Sequence, residues 1–240
     1  MYVKRKLLFL YLIFLTSLIY AANIEVRPTK LFISKQNKVT TLNVTNLSDT
    51  ETLIQVSKYK WGQKKDSYTL DNTNDLISSP AMFKLAPKQT QIIRVGVRSF
   101  KESTEEQPYR IILKEVHPQA VKDSMGLKIK LQISIPLFIS PNSIQKNQAN
   151  NTQDISWSIN SNNKTINVTA KNHDNFHHTV YSFKLDNKNN SENIKTFVYL
   201  LPKNSFTWKL DTKNIKKGTY ALNAVTDLGN SSVSEDIIVK

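Results

Sequence analysis

The sequence predicts an all-β chain arranged as two β-sandwiches, and three observations carry that prediction. From Asn23 onward, short runs rich in Val, Ile, Thr and aromatic residues alternate with polar turns, and no stretch of helical length sustains a 3.6-residue apolar period. The segment Ser140 to Gln153 (SPNSIQKNQANNTQ) is nearly devoid of apolar side chains and reads as a linker between two units. The most regular run, Leu127 to Ile139 (LKIKLQISIPLFI), sets Leu127, Ile129, Leu131, Ile133 and Ile135 against Lys128, Lys130, Gln132, Ser134 and Pro136. Successive strand side chains point to opposite sides, so this is a strand with one apolar face.

The chain opens on residues 1–21, a secretory signal peptide. Lys4, Arg5 and Lys6 precede an apolar run from Leu7 to Tyr20, which is followed by small residues. That run is too short for a bilayer that needs about twenty residues, so cleavage near Ala22 and no stable membrane insertion are expected. The first domain then spans 22–140. Its expected strands are Ile24 to Ile33, Val39 to Val44, Glu51 to Lys60, Gln91 to Arg98, Tyr109 to Val116 and Leu127 to Ile139, with a turn at Leu85 to Gln89 (LAPKQ). The second domain spans 141–240. There the strands are Ile155 to Ile159, Thr165 to Lys171, Val180 to Leu185, Thr196 to Leu201, Ser205 to Lys209, Gly218 to Asp227 and Ser232 to Val239, separated by Asn- and Lys-rich turns.

Pro136 lacks the N–H that a sheet ladder needs, so the long alternating strand belongs at an edge or pairs on one side over that part of its length. Two readings follow from the pattern. The strand packs into its own core as an ordinary hairpin, or it pairs with another chain, as open edges with apolar faces invite.

The formal charge of +14 falls to +11 (14 − 3) when the leader is removed. Lys is spread along the chain rather than gathered in a block, which argues against a nucleic-acid site. With no Cys, the exported chain depends on burial alone and has neither a thiol nucleophile nor a Cys metal site. Five Gly in 240 residues, with no phosphate loop, nucleophile elbow or zincin pattern, leave no catalytic residues to name and no cofactor to expect. His173, His177 and His178 cluster with Asp174 in NHDNFHH, but histidines in such a turn read as solvated, so no metal site is assigned. Trp61, Trp157 and Trp208 sit in apolar-periodic strands and read as core. An exposed placement would instead favour a secreted adhesin or carbohydrate-binding protein.

An ordered set of motifs carries a resemblance to a known family. TKLFISKQNKVTTLNVTN (Thr29 to Asn46), SSPAMFKLAPKQTQIIRVGV (Ser78 to Val97), Glu106 with YRIILKEVHP (Tyr109 to Pro118), VYLLPKNSFTWKL (Val198 to Leu210) and ALNAVTDLGNSS (Ala221 to Ser232) occur in the order seen in the periplasmic chaperones of chaperone/usher pilus assembly. The Ser134 to Phe138 ending (SIPLF) resembles divergent branches of that family. The resemblance implies two immunoglobulin-like domains and a non-enzymatic protein. Its partners would be pilus or fimbrial subunits and an outer-membrane usher, with a self-capping homodimer as a state of the free protein. It also implies donor-strand complementation, in which the alternating strand fills a groove in an incomplete subunit. Leu127, Ile129 and Leu131 match the donated residues, and Ile133 and Ile135 continue their face.

Family members anchor the subunit's C-terminal carboxylate with two basic residues in the interdomain cleft. The first position is Lys30 here, and the second falls on Pro136, which cannot serve. Arg110, on the preceding strand, is expected to supply the missing charge. Glu106 and Asp227 match the acids of an interdomain structural set whose basic member falls on Ser140.

Overall fold

The computed structural model describes residues 24–116, 131–141, 155–161, 165–187, 191–211, 215, 218–227 and 229–239. Every regular element among them is a strand. The first ten are β1 (Ile24–Arg27), β2 (Leu31–Ile33), β3 (Val39–Asn46), β4 (Thr52–Lys64), β5 (Ser67–Asn72), β6 (Leu76–Ser79), β7 (Met82–Leu85), β8 (Thr90–Val97), β9 (Gln107–Glu115) and β10 (Gln132–Ile139). They form one sheet in the order β1-β3-β8-β6 and a second in the order β2-β10-β9-β4-β5, with β7 also on β4. Inward residues of both sheets, among them Leu42, Val44, Ile93, Ile111 and Leu137, close a core from which water is excluded.

The second half repeats the architecture with β11 (Ile155–Ser161), β12 (Thr165–Asn172), β13 (His178–Asp186), β14 (Ser191–Leu200), β15 (Ser205–Asp211), β16 (Gly218–Thr226) and β17 (Gly229–Val239). Here a three-stranded sheet, β11-β12-β15, faces a four-stranded one, β14-β13-β16-β17. Trp157, Ile166, Val168, Phe183 and Leu222 belong to the core between them.

Local chemistry explains where the elements depart from expectation. The single strand expected over Ile24 to Ile33 is two strands in different sheets. β1 pairs with β3, whereas β2 runs parallel to β10. Pro28 lies at the break, and a residue with no N–H and a fixed φ cannot carry a ladder through. The strands β5, β6 and β7 had no counterpart in the sequence reading, because runs as short as LISS and MFKL do not establish a period. The turn after β7 is braced by the Gln89 N–H donating to the Ala86 carbonyl at 3.2 Å, with Lys88 at a φ of 60°.

β10 pairs along its whole length with β9, but with β2 only from Leu137 to Ile139. Opposite Gln132 to Pro136, no strand lies on its second side among the described residues. The Glu115 N–H donates to the Leu131 carbonyl at 3.0 Å, so pairing with β9 begins just before β10 itself. Leu127 and Ile129 lie outside the described residues.

Candidate functional site

The two sandwiches meet along a built junction. The β4–β5 hairpin reaches from the first sandwich to β14 of the second. There the Gln63 amide donates to the Tyr199 carbonyl at 2.8 Å and accepts from the Leu201 N–H at 2.8 Å. The Tyr68 hydroxyl donates to the same carbonyl and accepts from the Tyr199 N–H, both at 2.9 Å. Burial pushes the Tyr68 pKa up to about 12. Trp61, Phe138, Tyr199 and Leu201 form an apolar cluster beside these bonds. Trp61 and Trp157 are 2 % and 5 % exposed, which leaves neither as a sugar platform.

A glutamate–histidine pair lies buried in the junction. The Glu106 N–H donates to the Asn175 carbonyl at 2.9 Å, and the His177 N–H donates to the Glu106 carboxylate at 3.0 Å. His177 Nδ1 lies 2.5 Å from the same carboxylate oxygen, and the imidazole stacks on the Phe138 ring at 3.6 Å and 4°. With Nδ1–H given to Glu106, Nε2 presents its lone pair to the Lys30 ammonium 3.4 Å away. His178 turns the other way, with Nε2 3.2 Å from Asp174 and Nδ1 3.6 Å from Asp227.

These contacts correct the reading of NHDNFHH as a solvated turn: His177 is fully buried and His178 nearly so. They pack here because Glu106 and Asp174 each give a buried imidazole a hydrogen-bond partner. Among the described residues, no group of three or more His, Cys, Asp or Glu side chains converges as a metal site would require.

Above the junction opens a cleft of about 480 Å³ lined from both domains, including Lys30, Arg110, Ser134, Pro136, Tyr181 and Phe197. Strand alternation on β9 sends Tyr109, Ile111 and Leu113 into the core and turns Arg110 to this side. The Arg110 guanidinium lies 3.6 Å from the Trp61 ring centroid and 5.4 Å from that of Tyr199. Among the described residues it has no hydrogen bond or ion pair. Burial presses its pKa below the ordinary arginine value, opposed by the neighbouring tyrosines, and the group stays charged. Lys30, just before β2, places its ammonium 5.2 Å from the Tyr199 centroid. The cleft therefore offers an anion two partly desolvated cations against aromatic rings.

Residues 23–145 match the N-terminal domain of pili and flagellar-assembly chaperones of the PapD type, and residues 150–235 match the PapD C-terminal domain of pili assembly chaperones. The chain belongs to this family. No curated protein sequence matches it. Among solved structures, the chaperone resembles a chain of the CsuC–CsuE chaperone–tip adhesion subunit pre-assembly complex from archaic chaperone-usher Csu pili of Acinetobacter baumannii. That match has 18% identity and a TM-score of 0.68, and covers 88% of this chain and 97% of that one. It also resembles the E. coli chaperone DraB, at 17% identity and a TM-score of 0.63 over 88% and 98% of the two chains. A third likeness is to a chain of the Salmonella enterica complex of SafA pilin with the SafB chaperone, at 16% identity and 0.63 over 89% and 98%.

On the chaperone's long strand, Ile133 is half-buried at the margin of the first core, whereas Ile135 is 4 % exposed within it. Ile135 thus has no surface left for a partner, because Leu137, Ile139 and Ile135 fill the space between the two sheets of their own domain. Leu131 is half-buried just outside β10. Glu106 reaches the second sandwich through His177, and the Asp227 N–H donates to the Thr179 carbonyl at 3.0 Å. Phe138, His177, Tyr68 and Gln63 were not singled out as site residues from the sequence. Their partners lie far along the chain, 131 residues away for Tyr68 and Tyr199, beyond the reach of any local pattern.

Proposed function

We propose that this chaperone works in the periplasm, without catalysis. It captures a pilus or fimbrial subunit by adding the subunit's last strand to the open side of β10, and passes that subunit to an outer-membrane usher. The observation that supports this reading most is where the open lane ends. β2 fills the lane beside β10 at Leu137 to Ile139, the lane is open beside Gln132 to Pro136, and Lys30 stands at the boundary with Arg110 opposite Pro136.

An incoming strand in that lane meets the cations at one end. A C-terminal carboxylate there makes the added strand run parallel to β10, as β2 already does, and fixes its register, since a one-residue slip would turn every apolar side chain the wrong way. Main-chain hydrogen bonds then supply affinity, and Leu127, Ile129, Leu131 and Ile133 supply the alternating apolar contacts. The domain limits we assign are 22–140 and 141–240, behind the leader at 1–21.

The anchor is tested by titrating the purified protein with a synthetic peptide of alternating valine and threonine, as free acid and as amide. The free acid is expected to bind about tenfold or more tightly, because charge-assisted hydrogen bonds contribute about 1.5–3 kcal/mol. The preference should shrink in Lys30→Ala and Arg110→Ala. Equal affinity for acid and amide would exclude a carboxylate anchor.

A further inference from the structure

We propose that the second domain reads the side chains next to that carboxylate, through an aromatic wall selecting partners that end in apolar or aromatic residues. This rests on the anchoring reading above and assigns the cleft a specificity that the anchor alone does not supply.

The wall consists of side chains that folding leaves uncovered. Phe197 on β14 is 64 % exposed, Tyr181 on β13 is 42 % exposed, and Val225 on β16 is 41 % exposed. A register shift between Val180 and Ser182 makes Tyr181 the extra residue of a bulge, a feature that re-aims a side chain. Its ring lies 5.9 Å from that of Phe197, and Val225, paired with Ser182, extends the row onto the next strand. Isolated exposed apolar residues need no explanation, but a contiguous row beside a cleft marks a contact surface.

The rings also connect to the cations. Phe197 meets Tyr199 edge-on at 5.4 Å, and Tyr199 is the ring shared by Lys30 and Arg110. Tyr181 and Phe197 line the same cleft as both cations and as Ser134 and Pro136 of β10. A strand whose carboxylate reaches Lys30 and Arg110 therefore lies between the open edge of β10 and this wall. Because extended side chains alternate, one of its last two residues faces the wall. The occupant is the end of an extended polypeptide, and an apolar or aromatic side chain there covers rings that a serine or a glutamate would leave wet or desolvate at a cost.

The test uses the full-length protein and the alternating peptide above, ending in Phe-Phe or Ser-Ser, each as free acid and as amide. Changing both final residues removes any dependence on which of them faces the wall. Wild type is expected to bind the Phe-Phe acid about tenfold more tightly than the Ser-Ser acid. Tyr181→Ser combined with Phe197→Ser, both exposed positions, should abolish that difference while keeping the preference for acid over amide. Equal binding of the two acids by wild type, or discrimination undiminished in the double variant, would overturn the wall. Loss of the acid preference in wild type would overturn the anchor instead and leave the Phe-versus-Ser comparison to decide the wall.

Discussion

The Arg110 guanidinium carbon lies over the Trp61 ring, 3.6 Å from its centroid, and this cation–π contact holds the group in the cleft without a carboxylate among the described residues. Arg110→Ala should weaken free-acid peptide binding about tenfold to a hundredfold by calorimetric titration, and Arg110→Lys should restore only part of it, because a point charge lacks the two-pronged fork. Glu106 acts on the other cation at one remove, through His177. Glu106→Ala would leave a buried imidazole N–H and a backbone N–H without their acceptor, and should cost about 2–5 kcal/mol in urea unfolding. Lys30 and Glu106 are singled out by their places in the ordered motifs, and Arg110 by the charge that Pro136 cannot supply. His177 was visible in the sequence but misread, because the acid that stabilises its burial lies 71 residues away.

β10 serves two purposes along its length, and substitutions should separate them. Ile135→Asp places a charge in the core between the first two sheets and should unfold that domain. Ile133→Asp, at the core's margin, should leave a folded protein that no longer captures a partner; circular dichroism followed by a binding assay distinguishes the two. The alternation in LKIKLQISIPLFI was legible as a strand, but not the point where its apolar face passes from core to open edge. That point is set by where β2 begins, and β2 begins where Pro28 lets the chain change sheets. The β4–β5 hairpin gives a second test. Tyr68 has its pKa raised to about 12 by burial, so the neutral hydroxyl is the form the fold favours. The stability it contributes is fully present below the ordinary tyrosine value of 10.0 and is lost as pH rises through about 12. Wild-type denaturation midpoints should fall over that window, and Tyr68→Phe should be less stable at neutral pH with a shallower alkaline decline.

At the scale of the molecule, the two sandwiches were legible as units, while the surface that joins them was not. Strands announce themselves by local alternation. The junction is assembled from Trp61, Tyr68, Phe138, His177 and Tyr199, brought together only by folding. By clamping the hairpin to β14, it sets the open edge of β10, the two cations and the aromatic wall around one cleft. The central claim is that this edge captures a subunit, and periplasmic co-purification of a co-expressed pilus subunit tests it most directly. Wild type is compared with Ile129→Asp combined with Leu131→Asp, after circular dichroism has established that both are folded. A folded double variant that carries no subunit is the predicted result. A folded double variant that carries the subunit as well as wild type does would contradict strand donation.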